Sequence, residues 1–203
     1  MTKTATDLEK AFDLYFVAMR ECARPGCYWA LLHMVVALPD VCAGLESPAS
    51  AARYMAWCDE NFPNIGPLTS GDRYQMRNAV LHQGTTLPSA KNPKYMPQYV
   101  SISFVEPGEN GAELHGLVQQ DKQRGGKNLT VNIAILADET AAAMRHWFGL
   151  VECSPVRNAP VAASLSNIAR KQLKVSRVPI APPELPPELK VYITIPHPTT
   201  SST

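Results

Sequence analysis

Four signatures that assign chemistry on sight are missing from this chain: it contains no G-x-x-x-x-G-K-[ST], no G-x-G-x-x-G, no H-E-x-x-H and no G-x-S-x-G. P-loop nucleotide hydrolysis, dinucleotide redox chemistry, zinc proteolysis and serine esterase activity thereby lose their usual support. Charge is also scarce. Only 18% of the 203 residues are Asp, Glu, Lys or Arg, and the formal net charge is +1, so no global field draws in nucleic acid or a membrane. A polyanion would have to be held by a local patch.

Long apolar runs are lacking as well. The longest uncharged stretch of the first half, Gly26 to Pro39, is shorter than the roughly 18 to 20 apolar residues of a membrane span. The amino terminus has no apolar signal region, and a cytoplasmic protein is the expectation. The cysteines, Cys22, Cys27, Cys42, Cys58 and Cys153, are odd in number and show no C-x-x-C spacing. They read as buried, reduced thiols, with a Cys22–Cys27 disulfide or a metal site as the alternative. His33, on an apolar stretch, reads as a core histidine. His115 and His146 have no partner at metal-ligand spacing, so neither a metal nor another cofactor is expected.

What is present is helical for the first ninety residues. Leu8, Ala11, Phe12, Tyr15, Phe16 and Met19 keep the helical period, and Arg24-Pro25-Gly26 ends that helix. Tyr28 to Leu45 is apolar nearly all round, as suits a central helix, with a kink expected at Pro39. Ser47-Pro48 predicts the start of a third helix, and Thr69 or Ser70 the cap of a fourth that stops at Gly84. Val100 to Phe104 and Leu129 to Ile135 alternate in polarity, with a weaker strand near Glu113 to Gln119. A small antiparallel meander is expected from these, followed by a fifth helix capped by Asp138 and a short helix over Ala162 to Leu173. From Val178 prolines crowd into an extended tail. The predicted fold is therefore mainly α. A four-helix bundle over residues 1–90 carries a strand-and-helix extension over 95–175 and a proline-rich tail over 176–203.

The fourth helix carries the candidate chemistry. At about 100° per residue, Met76, Ala79 and Val80 share a core face, while Asn78 and His82 lie one turn apart on roughly the opposite side, flanked by Tyr74 and Leu81. Arg77 lies between the faces, with a side chain long enough to bend toward His82. A cation, an amide and a titratable imidazole brought together suit phosphodiester binding and proton transfer. His82 also sits in the last turn, where it can simply satisfy the final carbonyls. Tyr74, Lys91, Lys94, Arg124 and Lys127 are candidate contacts to an RNA backbone, the four cations lying in or beside loops. Arg170, Lys171, Lys174 and Arg177 form a denser basic run.

The string Arg73-Tyr74-Gln75-Met76-Arg77-Asn78-Ala79-Val80-Leu81-His82-Gln83-Gly84 resembles the HEPN superfamily, whose hallmark is Arg, a polar residue, a few positions and then His late in a bundle helix. Weaker likenesses extend over residues 6–150, in Ala37-Leu38-Pro39-Asp40, Arg53-Tyr54-Met55-Ala56-Trp57 and Arg145-His146-Trp147-Phe148. The resemblance implies a homodimer, here through helix four, in which two such motifs share a cleft and cleave RNA without a metal. His82 would be the general base or acid, Arg77 the phosphate ligand, and Asn78 an orienting group. The alternative is a non-catalytic dimerising or nucleotide-binding module of a bacterial stress or defence system.

Overall fold

The computed structural model describes residues 7–23, 27–62, 67–87, 98–106 and 112–175, with side chains of the last segment through residue 167. Four helices come first: α1 (Asp7–Cys22), α2 (Tyr28–Glu46), α3 (Ala51–Asn61) and α4 (Ser70–Gln83). Strands β1 (Ser101–Val105), β2 (Val118–Asp121) and β3 (Gly126–Asn132) follow, then α5 (Ile133–Cys153) and α6 (Pro155–Val175). The chain divides into residues 1–165 and 166–203; all that follows concerns the first unit.

The mainly α architecture with a small sheet is as expected. Leu31, Leu32, Val36 and Leu38 of α2 are buried with Tyr54, Trp57 and Cys58 of α3, with Met76 and Val80 of α4, and with Trp147 and Phe148 of α5. α2 runs through Pro39 as one helix, and its 19 residues of mean hydropathy 1.5 are long enough to cross a membrane; 56% of that window is instead buried in the protein. On α1, Leu8, Phe12 and Met19 face inward as expected, whereas Ala11 and Tyr15 face outward.

Three local expectations are corrected. α3 is capped by Ser50, whose side chain accepts from the Arg53 amide; Ser47 instead caps the carboxyl end of α2. The sheet is mixed, in the order β1-β3-β2, with β1 parallel and β2 antiparallel to β3. Alternation had identified strands but carries no information on direction. Here the buried Ile102 and half-buried Phe104 pair with Leu129 and Val131, while Asp121 binds the Gln123 and Arg124 amides to close the β2–β3 turn. Finally, Ile133 to Ile135 are helical, because Asn132 Oδ1 accepts from the Ala134 and Ile135 amides and starts α5 there. Asp138 is therefore an exposed residue inside α5, and α6 begins earlier than the short helix expected over Ala162 to Leu173.

Candidate functional site

Helix α4 is fixed at both ends. Thr69 and Asp72 form a reciprocal capping box, and Asp72, almost fully buried, also accepts from the Gln98 amide and side chain, tying the approach to β1 onto the helix start. Gly84 ends the helix in a left-handed conformation, φ 60°, which a residue with a Cβ adopts at a cost. Met76, Ala79 and Val80 are buried as the wheel predicts. The orientation of Arg77, Asn78 and His82 is thereby set.

The three come together through the Arg77 guanidinium. Its Nη1 donates to Asn78 Oδ1 at 3.0 Å and lies 2.7 Å from His82 Nε2. Arginine can only donate, so Nε2 accepts and the neutral ring carries its proton on Nδ1. The long side chain thus closes the i, i+5 step that helix geometry alone leaves wide. His82 itself is exposed.

A fourth member comes from α2: Arg77 Nη2 donates to Asp40 Oδ2 at 2.5 Å, with the two side chains 19% and 26% exposed. Asp40 was not among the candidate site residues. The signal for it was the charge pattern, since Asp40 is the single formal charge between Tyr28 and Leu45, and a carboxylate on so apolar a helix requires a partner. The ion pair compensates much of the arginine charge, so the site is polar rather than strongly basic.

The other candidates are scattered. Tyr74 packs its ring 5.6 Å from that of Tyr54, on the α3 side of the helix. Arg124 pairs with Asp121 in the β2–β3 turn, and Lys127 is exposed on β3; neither hydrogen-bonds to Arg77, Asn78 or His82. Lys91 and Lys94 lie outside the described residues, as do Arg177 and the side chains of Arg170, Lys171 and Lys174.

A second polar network is structural. Arg73, 3% exposed, lies 3.8 Å over the Phe62 ring and donates to Glu139 Oε2 at 3.1 Å. Glu139 Oε1 meets His115 Nε2 at 3.3 Å, and His115 Nδ1 accepts from the Asn132 amide. Both imidazole nitrogens are used, which leaves none for proton transfer. The chain of contacts joins α4, α5 and the sheet. His33 is half-buried, bonded through Nδ1 to Trp29 O at 2.8 Å, rather than in the core.

Among the described residues no cluster of His, Cys, Asp and Glu has metal-site geometry. All five cysteines are free; Cys42 and Cys58 are buried, while Cys27 and Cys153 are exposed, contrary to a uniformly buried set. Burial pushes the Cys58 thiol up to about 12 and raises Cys42 well above the ordinary range, so both are inert packing groups. The chain matches no family model, and neither a curated protein nor a solved structure similar to it was found.

Proposed function

We propose that this is a HEPN-like, metal-independent endoribonuclease acting on RNA phosphodiesters in the cytoplasm of a bacterium. The supporting observation is the convergence of Arg77, Asn78 and His82 on one guanidinium at the exposed end of α4. In the free protein Arg77 occupies the His82 Nε2 lone pair. A phosphate oxygen docked on Nη1 would take over that hydrogen bond and release Nε2 to remove the ribose 2′-hydroxyl proton. The 2′-oxygen then attacks phosphorus and the 5′-oxygen leaves with a proton from an imidazolium, giving a 2′,3′-cyclic phosphate and a 5′-hydroxyl. Asn78 and Asp40 would hold the guanidinium in register.

The second proton donor comes from a second copy. The face of α4 carrying Asn78, Leu81 and His82 continues across Asp40 onto an outward stripe of α2, Ala30, Met34, Ala37, Val41 and Gly44, spaced four and three residues apart. Among the described residues nothing lies within 4 Å of where a Gly44 Cβ would be, so their packing does not demand a residue that small. The open space there leaves room for the helix of another copy to approach closely. The homodimer thus extends the helix-four interface onto α2.

The Asp40 ion pair favours a second reading, a non-catalytic RNA-binding or dimerising module of a bacterial stress or defence system, because a compensated arginine holds phosphate less strongly. Incubating the purified protein with end-labelled mixed RNA in EDTA separates the two. The nuclease reading predicts cyclic-phosphate ends and a loss of about 10²-fold or more in His82→Ala; undiminished cleavage by His82→Ala sinks it. RNA binding or dimerisation without cleavage supports the second reading.

A further inference from the structure

Helices α1 and α5 pack together where Phe12 lies 6.1 Å from Trp147 and Phe16 6.1 Å from Phe148. Beside them an open groove of about 710 Å³ remains, lined by Phe16, Met19 and the alanines of α5 and also by the charged Glu9, Lys10, Asp138 and Arg145. On the groove wall stand Asp13 and Arg20, seven residues apart on one face of α1, both exposed and neither in an ion pair among the described residues. Just beyond that wall Leu14 is 79% and Val17 37% exposed. A helical wheel at about 100° per residue puts Val17 next to the Asp13/Arg20 line and Leu14 one step further round. The Asp13/Arg20 line thus runs beside an exposed stripe in which Val17 and Leu14 alternate with Lys10 and Glu21.

We propose that α1 is a self-association surface whose occupant is the α1 of a second copy, packed antiparallel about a two-fold axis between Phe16 and Val17. That operation sends residue i onto 33 − i. Asp13 then meets Arg20 of the second copy, and Arg20 meets its Asp13. The helix carries its acid and its base in the order that only antiparallel pairing with itself satisfies twice. The same two-fold keeps Leu14 and Val17 of both copies on one side of that contact, where they pack against one another. The contact is separate from the α2 and α4 face that carries Asp40 and His82.

Sedimentation equilibrium of the full chain tests this, run in parallel on wild type and on Val41→Glu, which removes pairing across α2. Arg20→Asp sets like charges against each other twice and should weaken association about tenfold; Leu14→Glu should weaken it further. Asp13→Arg combined with Arg20→Asp restores the complementary order and should restore association. Circular dichroism of each variant confirms folding, and the restored double variant shows that Arg20→Asp acted on the contact. Association unchanged by Arg20→Asp, no recovery in the double variant, or a monomeric Val41→Glu protein at about 100 µM would each overturn the proposal.

Discussion

Asp40 and Arg77 are each tolerable in their half-buried positions because the other is there. Replacing Asp40 with Asn removes the charge partner at almost constant volume and leaves the guanidinium only a neutral amide oxygen as acceptor. A charge-assisted hydrogen bond of this kind is worth about 1.5–3 kcal/mol, and a loss of that order is expected in urea denaturation of Asp40→Asn. An unchanged midpoint would mean that Arg77 finds another acceptor. The second charge cluster predicts a pH effect. Arg157 bonds both Glu60 oxygens, at 2.9 and 2.6 Å, and this holds the Glu60 carboxyl below its ordinary 4.5. A depressed carboxyl stabilises the fold fully above its unfolded value and ceases to do so as pH falls through the folded one. Stability should therefore decline as pH drops below about 4.5, and Arg157→Met should flatten that decline; equal slopes in the two proteins would refute it. The residue scale is also where the sequence was least legible. Arg77, Asn78 and His82 share a short segment and could be read directly. Asp40 is 37 residues from Arg77, and its meaning as a partner depends on how α2 packs against α4.

At the scale of elements, legibility followed the locality of the interaction. The cap of α4 is made within three residues and its glycine stop within five; the stop lies where the sequence placed it, and the cap falls on Thr69, one of the two candidates Thr69 and Ser70. The start of α3 was misplaced because Ser47 and Ser50 offer the same hydroxyl, and the choice turns on where α2 releases its last carbonyl; Ser47 N–H is still bonded to Ala43 O. Thr69→Ala should accordingly cost about 1 kcal/mol, as cap deletions do. Ser50→Ala should cost a similar amount and Ser47→Ala distinctly less, measured by thermal melting. Gly126 is a sharper case. A Cβ there would overlap the Val100 side chain, whose backbone amide bonds to Lys127 O, so Gly126→Ala must push β1 from β3. A penalty of about 1–3 kcal/mol is expected, with relief in Gly126→Ala/Val100→Ala; absence of relief would place the strain elsewhere. The parallel pairing of β1 with β3 could not be read from polarity, because Ile102 and Leu129 face the core under either direction.

For the whole molecule, the sheet does not bury the chemical end of α4. It is tied to the first turn of α4 through Asp72, Arg73, Glu139 and His115 and to the segment after the helix by the Ile102 amide on Thr86 O, while Asn78 stays half-buried and His82 exposed. The account rests on Arg77 donating to the imidazole at Nε2. Nitrogen NMR of the histidine ring at pH 8, with His82→Gln for assignment, reads that bond directly. His82 should show a protonated Nδ1 and an unprotonated Nε2, with the balance moving toward the Nε2–H form in Arg77→Met. A wild-type ring protonated on Nε2, indistinguishable from that of Arg77→Met, would contradict it.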